Sequence, residues 1–337
     1  MIDACDSCLR RSHLTGFLAG AIERRGPQAE RGGEARSFLR RFDPRAARAA
    51  LGVDAACGHS DRFPAQLREL PRPPAVLYAT RLDRVGEEPA AVVIGSRRPS
   101  EYGRTVAYGL GRGLGAAGVP VVSGLALGID AIAHRGCLDG GGRTVAVLAS
   151  GVDVAYPRTN RRLYERIREH GAVVSEMPPG TRPYRWLFPA RNRVMAALGR
   201  LTVVVEAAER SGTLITADCA ADIGRDVAAV PGRVTSDVAA GTNGLLRTGA
   251  ALVTGPQDVL DLLYGVGVRQ VPASPAPTLD PQDERVLGLV SRGAGVDDLG
   301  RELGLPASTV RAALARLELG GLIRRTASGA FMVGGAR

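Results

Sequence analysis

The chain has 337 residues, of which 45% are hydrophobic and 4% aromatic, and its mean hydropathy is zero. This composition excludes an intrinsically disordered chain, and at about 100–200 residues per domain the length predicts two or three domains. Arg or Asp interrupts every hydrophobic stretch, so no apolar run reaches the roughly 18 residues that a membrane-spanning helix needs. We therefore expect a soluble protein.

Arginine alone carries the positive charge. The net charge is +10, and all 44 basic residues are Arg. Guanidinium groups bind phosphates through paired hydrogen bonds, so this composition favours a polyanionic partner. Because the chain contains no Lys, it can form neither a Schiff base nor a Walker loop of the GxxxxGK[ST] type.

The cysteines are too few for a disulfide framework and indicate the reducing cytoplasm: Cys5, Cys8, Cys57, Cys137 and Cys219. Cys5 and Cys8 form a CxxC motif, and His13, Cys57 and His59 lie downstream and could complete a zinc site. A single CxxC without a second pair is more often an ordinary helical turn, so we expect no bound metal.

The first part of the chain is predicted to form short helices. They cover Leu14–Arg24, Ser37–Phe42 and Pro44–Leu51, with Asp43 as the cap of the third. A Pro-rich connection at residues 71–74 follows. We therefore expect a small helical N-terminal domain over residues 1–88.

Short β-branched apolar runs alternate with helical segments from Ala90 onward. The predicted strands are Ala90–Ile94, Val119–Ser123, Thr144–Leu148, Ala172–Ser175, Leu201–Val205, Asp226–Val230 and Ala251–Val253. The predicted helices are Arg104–Ala117, Ile129–Leu138, Arg161–His170, Ala190–Leu198, Thr213–Ile223 and Gln257–Leu263. This alternation predicts an α/β fold: an extended Rossmann-type, doubly wound, mainly parallel sheet over residues 89–266. Such a sheet binds ligands beyond the carboxyl ends of its strands.

The C-terminal part follows a Pro/Ala/Ser-rich linker at residues 267–278. Three helices are predicted at Gln282–Val290, Val296–Leu303 and Ser308–Leu319, and two strands at Leu322–Arg325 and Ala330–Val333. This order is typical of a winged helix-turn-helix domain, which we place at residues 279–337.

Three loops that follow predicted strands are suited to phosphate: residues 95–98, 123–130 and 211–216. They combine Gly, Ser or Thr with guanidinium groups or a helix start, where backbone N–H groups and the helix dipole attract anions. Arg191, Asn192 and Arg193 follow the aromatic residues Trp186 and Phe188, an arrangement that favours phosphate binding together with base stacking.

A dinucleotide cofactor is not expected. Gly109, Gly111, Gly113 and Gly115 imitate the fingerprint but fall inside the first predicted helix. The second strand ends at Ser123, where a ribose-binding acid would be needed.

Catalysis is not expected either. Asp130 and His134 lie four residues apart on one helix and could act on a nucleotide as acid and base. A helix-start carboxylate and a packed histidine are the simpler interpretation. We therefore predict no catalytic residue and no cofactor.

The motifs of residues 90–255 together resemble those of the DprA family, also called Smf. They include Gly95-Ser96-Arg97, Ser123-Gly124-Leu125-Ala126, Gly128-Ile129-Asp130, Arg191-Asn192-Arg193, Ser211-Gly212-Thr213-Leu214-Ile215-Thr216, Val230-Pro231-Gly232 and Gly241-Thr242-Asn243. The resemblance implies a single-stranded DNA-binding protein of natural transformation and recombination. Such a protein protects incoming strands and loads the RecA recombinase onto them without nucleotide hydrolysis.

The resemblance also implies the site and the assembly. The family binds the DNA backbone in a basic pocket of its Rossmann domain and dimerises through that domain. The matching positions are Ser96, Arg97, Ser123, Gly124, Gly128, Arg191, Asn192, Arg193, Ser211 and Thr213. Leu127 stands where the family usually has a basic residue, so we expect weaker or differently shaped DNA binding.

Two alternatives remain open. The same Rossmann variant resembles that of phosphoribohydrolases, which cleave bases from nucleoside monophosphates. Their Pro-Gly-Gly-x-Gly-Thr loop is missing, since Arg233 follows Pro231-Gly232. The other alternative is a regulator that senses a nucleotide and reads duplex DNA with its winged helix. A preference for single strands over duplex would separate it from the DprA interpretation.

Overall fold

The computed structural model describes residues 1–25, 33–86, 88–272, 279–319, 322–325 and 330–333. The chain divides into two compact units, Met1–Pro272 and Ala273–Arg337. In the part of the chain that is described, no helix is long and apolar enough to cross a lipid bilayer.

The first unit is built on one ten-stranded sheet. Its strands are β1 (Ile2–Asp3), β2 (Asp54–Ala56), β3 (Leu77–Ala79), β4 (Ala91–Ile94), β5 (Val121–Ser123), β6 (Thr144–Val147), β7 (Ala172–Ser175), β8 (Leu201–Val204), β9 (Asp226–Ala229) and β10 (Ala251–Leu252). Their order is β1-β2-β3-β7-β6-β5-β4-β8-β9-β10. Strand β3 runs antiparallel to both its neighbours, and the other pairs are parallel.

Helices cover both faces of this sheet. They are α1 (Asp6–Arg25), α2 (Gly33–Arg41), α3 (Pro44–Ala50), α4 (Ala65–Arg68), α5 (Glu101–Ala116), α6 (Ile129–Asp139), α7 (Arg161–His170), α8 (Leu187–Leu198), α9 (Leu214–Asp222), α10 (Ala240–Arg247) and α11 (Pro256–Tyr264). Within β4, Val92 and Ile94 belong to one buried cluster, and Ala91 and Val93 belong to the cluster on the other face. The fully apolar strands are therefore buried on both sides, which confirms the doubly wound α/β fold.

Helices α5 and α6 pack with their backbones in close approach. A Cβ atom on Gly111 would lie 2.3 Å from the carbonyl oxygen of Ala133, and one on Gly115 would lie 2.4 Å from that of Cys137. These glycines of the apparent dinucleotide fingerprint lie inside α5 and serve helix packing.

The N-terminal residues differ from the sequence-based expectation. Residues 1–88 do contain α1 to α4, and Asp43 caps α3 by accepting a hydrogen bond from the Arg45 N–H. They also supply β1, β2 and β3 to the large sheet, so residue 88 does not separate a helical domain from the Rossmann domain. Strands of two or three residues are too short to show a readable alternation in the sequence.

The second unit contains α12 (Pro281–Ser291), α13 (Val296–Leu303), α14 (Ala307–Leu319) and the antiparallel pair β11 (Ile323–Arg325) and β12 (Phe331–Val333). Val286, Leu299, Val310 and Leu314 are buried at its centre. The order of elements is that of a winged helix-turn-helix, as predicted.

Candidate nucleic-acid interface

An open cleft lies at the carboxyl ends of β4 and β8, in the middle of the large sheet. The chain leaves β4 toward β5 on one side and returns later as β8 on the other side, which makes this the switch point where doubly wound folds bind ligands. The cleft has a volume of about 590 Å³. Most of its wall comes from three segments: residues 94–98 at the end of β4, residues 188–195 of α8, and residues 208–216, which lead from β8 into α9. Ala126, Asp130 and Val238 complete the lining.

The loop after β4 presents two exposed guanidinium groups. The Ser96 N–H donates to the carbonyl oxygen of Glu206 at 2.7 Å, and the Arg98 N–H donates to Ser96 Oγ at 3.1 Å. These bonds fix the turn, while the side chains of Arg97 and Arg98 remain exposed to solvent. The guanidinium of Arg97 lies over the ring of Phe188, 5.8 Å from its centroid. A cation and an aromatic face therefore stand together at the cleft, as phosphate and base binding require.

A second aromatic ring extends this surface. Tyr156 is 45% exposed, and its ring centroid lies 5.7 Å from that of Phe188. Phe188 itself is half-buried in the first turn of α8. The ring planes are tilted by 58° to each other, so the two partly exposed rings, which we call the platform, offer separate faces on which bases can stack.

The loop after β5 is held from both sides by buried charges. The Asp130 carboxylate accepts the N–H groups of Gly124 at 3.1 Å and Ala126 at 3.4 Å. The Arg191 guanidinium donates to the carbonyl oxygens of Gly124 at 2.8 Å and Val147 at 2.5 Å. A Cβ atom on Gly124 would lie 2.2 Å from Arg191 Nη1, so only glycine lets the guanidinium approach this closely.

Asp130 and Arg191, which together hold the loop after β5, are called the clamp, and burial shifts the pKa of both side chains. It raises the pKa of the Asp130 carboxyl, against the opposing effect of Arg191 and of the two backbone N–H groups. It lowers the pKa of Arg191 to about 10, and Asp130 opposes that shift. Arg191 therefore keeps its charge at neutral pH, as a fixed positive group in the wall of the cleft.

The loop after β8 is tied to the loop after β4. The Thr213 hydroxyl donates to the carbonyl oxygen of Gly95 at 3.1 Å, and the Thr213 N–H donates to Ser211 Oγ at 3.2 Å. This loop leads directly into α9, so the first N–H groups of that helix lie beside the cleft.

The Glu206 carboxylate and the His134 imidazole near the cleft both form hydrogen bonds within the protein. The Glu206 carboxylate accepts the Ser100 N–H at 2.9 Å and the Ser100 hydroxyl, at the start of α5.

His134 Nδ1 lies 2.6 Å from Thr144 Oγ1. The Thr144 hydroxyl proton is given to the carbonyl of Val121, so we assign the histidine as the donor. Burial lowers the pKa of His134 to about 3, which keeps it neutral. The packed interpretation of Asp130 and His134 is therefore favoured over acid–base catalysis.

Six of the ten site residues expected from the sequence line the cleft: Ser96, Arg97, Arg191, Asn192, Ser211 and Thr213. Three others lie behind its wall. Ser123 is fully buried and donates to the carbonyl of Val93 at 2.7 Å, and Gly124 receives the clamp. Gly128 has φ +81°, and a Cβ atom there would lie 2.3 Å from the carbonyl oxygen of Ser96. These three support the shape of the loops.

Arg193 does not join the cleft. Its guanidinium pairs with Glu176 and donates to the carbonyl oxygen of Arg72 at 2.8 Å. Since α8 turns by about 100° per residue, Arg191 and Arg193 point in different directions. The expectation that Arg193 contacts DNA from this cleft is not supported by its position.

The ten expected positions did not include Arg98, Phe188 or Tyr156, although the sequence had already indicated the first two. Arg98 stands in the loop at residues 95–98 that was expected to suit phosphate, and Phe188 is one of the aromatic residues expected to stack on bases. Tyr156 lies more than thirty residues from Phe188 along the chain, and only the fold brings their rings together.

Comparison with known proteins identifies this architecture. The sequence model of a family described as DNA recombination-mediator protein A matches residues 54–264, and the model of the DprA winged helix domain matches residues 270–329. The chain belongs to the DprA family. A Mycobacterium tuberculosis relative named DNA processing protein DprA is 44% identical over 275 residues, which cover 79% of this chain and 67% of the relative.

Solved DprA structures share the fold. The X-ray structure of DprA from Streptococcus pneumoniae matches with a TM-score of 0.64 and 36% identity, covering 74% of this chain and 86% of the other. A DprA structure from Helicobacter pylori matches with a TM-score of 0.55 and 27% identity, covering 64% of this chain and 97% of the other. The resemblance that the motifs indicated is thus confirmed at the level of the family and the fold.

Proposed function

We propose that the cleft between β4 and β8 binds the backbone and bases of single-stranded DNA, and that the protein acts as a recombination mediator. The observation that carries this proposal is the position of Arg97 and Arg98. Both stand exposed at the carboxyl end of β4, and the guanidinium of Arg97 lies over the ring of Phe188, which is next to that of Tyr156. Guanidinium groups suit phosphates, and the rings suit bases of any sequence.

The openness of the platform favours single strands. In a duplex the base faces are stacked on one another, so they cannot stack on Phe188 or Tyr156. The winged helix unit offers a different mode, since α14 corresponds to the helix that can enter a duplex groove. The published structure from Helicobacter pylori concerns the single-stranded DNA binding mode of that relative, which supports the same ligand here.

The remaining parts of the proposal rest on family membership. We infer that the protein protects incoming strands, transfers them to the RecA recombinase, works in the cytoplasm, and forms a homodimer through its Rossmann domain. We propose no chemical step on the DNA. Among the described residues beside the cleft, the Asp130 and Glu206 carboxylates are already held by internal hydrogen bonds. A hydrolase of the phosphoribohydrolase type needs such a carboxylate free to act.

The test is a titration of the full chain with fluorescent oligo-dT and with a duplex of equal length, each at two salt concentrations and without nucleotide. We expect tighter binding of the single strand, with affinity that falls as salt rises. Equal or tighter duplex binding would overturn the proposal in favour of a duplex-reading regulator. A separate incubation with nucleoside monophosphates tests the hydrolase alternative, and release of a free base would overturn the proposal.

RecA loading is a second measurement. We expect the protein to shorten the lag of RecA filament formation on single strands already coated with single-strand-binding protein. If binding is confirmed but the lag is unchanged, the DNA site stands and the mediator role fails. The mass of the protein in solution tests the homodimer separately.

A further inference from the structure

A cluster of three thiols and one imidazole lies at the edge of the large sheet, away from the cleft. It consists of Cys5, Cys8, Cys57 and His59, whose ligand atoms all lie within 4.8 Å of one another. His59 Nδ1 is 3.6 Å from Cys5 Sγ, 3.5 Å from Cys8 Sγ and 3.7 Å from Cys57 Sγ. The pair Cys5 and Cys8 lies about fifty residues from the pair Cys57 and His59 along the chain, and neither pair plays a part in the function proposed above.

The fold brings them together through two parallel strands. In the pairing of β1 with β2, Asp3 stands opposite Ala56. Cys5 therefore follows the end of β1, and Cys57 follows the end of β2, at the same edge of the sheet. Helix α1 begins at Asp6, so Cys8 lies in its first turn beside Cys5. His59 follows Cys57 in a turn closed by the Ser60 N–H, which donates to the Cys57 carbonyl at 2.8 Å.

The distances from the His59 nitrogen to the three sulfurs fit a tetrahedral zinc ion. With Zn–S near 2.3 Å and Zn–N near 2.0–2.1 Å, tetrahedral angles place a ligand nitrogen about 3.6 Å from each ligand sulfur. The three observed distances from His59 Nδ1 are 3.5, 3.6 and 3.7 Å. A nitrogen at nearly equal distances from three sulfurs is the arrangement of a Cys₃His zinc site. The packing of an ordinary CxxC turn does not require this arrangement.

The surroundings suit a structural site. Cys57 is 1% exposed, and the Cys5 N–H points to Cys57 Sγ at 3.5 Å, which is a typical contact of a metal-bound thiolate. The Arg48 guanidinium donates to the backbone carbonyl of Ala4 and to the side-chain carboxylate of Asp6, on either side of Cys5. His13, the other histidine near the motif, packs on the rings of Phe42 and Tyr78 and stays outside the cluster.

We propose that Cys5, Cys8, Cys57 and His59 bind one Zn²⁺ ion, which fastens the start of α1 to the end of β2. Four protein ligands leave no open position, so the ion is structural. Soft thiolates select zinc over magnesium or calcium. The expectation of no metal, drawn from the single CxxC, is replaced because the fold supplies the two missing ligands. Zinc removal is expected to loosen β1, β2 and the start of α1 while the cleft at β4 and β8 keeps its shape.

The experiment uses the tag-free full chain, purified under reducing conditions, because a histidine tag would bind metal itself. Elemental analysis should give one zinc per chain. Cys8→Ser and His59→Ala should each reduce this to less than a fifth. Cys219→Ser is the matched control: Cys219 is a half-buried thiol on α9, outside the cluster, and the variant should keep one zinc.

A second measurement covers variants that fail to fold. The wild-type chain is stripped with a chelator and titrated with Co²⁺, which should give the visible bands of a tetrahedral thiolate site and saturate at one equivalent. Zn²⁺ should then displace the cobalt and raise Tm. Wild-type chain without zinc that also fails to bind cobalt tetrahedrally overturns the proposal, as does equal zinc loss in Cys219→Ser. Oligo-dT affinity is followed in parallel and should be retained in the stripped chain, because the cleft at β4 and β8 is expected to keep its shape.

Discussion

At the scale of single residues, Arg97 allows the positive charge of the cleft to be reduced without a change in the shape of the cleft. It is exposed, and within the part of the chain that the structure describes its side chain makes no hydrogen bond that holds the loop, unlike that of Arg191. Arg97→Ala is expected to weaken oligo-dT binding about equally for all sequences and to make the slope of log K against log salt shallower by about 0.7. Titration at four salt concentrations measures this slope.

The matched control is Arg81→Ala. Arg81 is also exposed, but it follows β3, which runs antiparallel to β7. Arg81 therefore lies at the amino ends of the parallel strands, opposite to the cleft at their carboxyl ends. This variant should bind oligo-dT like the wild type. Equal slopes for Arg97→Ala, Arg81→Ala and wild type would place the DNA elsewhere.

Phe188 tests stacking without charge. Phe188→Ala removes one ring of the platform and is expected to weaken single-strand binding by about 1–3 kcal/mol, roughly a 5- to 150-fold loss in affinity. The salt slope should stay within error of the wild type, because no cation is removed. A change confined to the slope, with little loss of affinity, would contradict stacking on this ring.

The buried His134 side chain makes the free energy of unfolding depend on pH. Its pKa is about 3 in the folded protein and near 6.5 when unfolded, so below pH 6.5 the unfolded state binds one more proton. The free energy of unfolding should therefore fall as pH falls, by up to about 1.4 kcal/mol per unit between pH 6.5 and 3. Above pH 6.5 this contribution is fully present.

The pH prediction is measured by urea unfolding at pH 7, 6 and 5. His134→Gln should be less stable than wild type at pH 7 but should lose less stability on acidification. His170→Gln, at the exposed end of α7, should keep the wild-type slope. An unchanged slope in His134→Gln would show that this histidine is not the buried neutral base described here.

At the scale of elements, the loop between β5 and α6 carries the departure from the family pattern. Leu127 is 46% exposed, between Ala126 at the cleft and Gly128 at the start of α6. Leu127→Arg should not disturb the core. It is expected to tighten oligo-dT binding and to steepen the salt slope by about 0.7, as one added phosphate contact would. Unchanged affinity at every salt concentration would refute a role for this position.

The parallel strands could be predicted from the sequence, and the edge strands could not. Strands β4 to β9 are runs of apolar residues about four long, each followed by a helical pattern, so their type was readable within one or two residues. Strands β1 to β3 have two or three residues each, and long-range pairing alone makes them strands. Helix α10 was also missed, since its glycines weaken any helical pattern.

Helix α8 begins three residues earlier than predicted, so Phe188 lies inside the helix and not before it. Pro189 suggested a helix beginning at Ala190, but proline is tolerated in the first turn, where its missing N–H is not needed. The helix begins at Leu187, which places Phe188 in the first turn at the cleft. Helical geometry alone separates the directions of Arg191 and Arg193, but the ion pair of Arg193 with Glu176 could not be predicted, because Glu176 lies on another element.

At the scale of the whole molecule, the two units allow binding to be assigned. A chain ending at Pro272 keeps the entire sheet and the cleft. We expect it to retain oligo-dT affinity within about threefold, a change below 1 kcal/mol. Arg97→Ala in this shorter chain should shift the salt slope as it does in the full chain. A collapse of binding would move the function to the winged helix unit.

The central claim, that single-stranded DNA lies on the Phe188 and Tyr156 platform of the β4–β8 cleft, is tested most directly by crosslinking. The full chain is irradiated with an oligo-dT containing 4-thiothymine, digested with trypsin and analysed by mass spectrometry. We predict crosslinks in residues 186–191, which contain Phe188, and in residues 144–158, which contain Tyr156. Crosslinks confined to residues 279–337, or to the opposite edge of the sheet, would contradict the account.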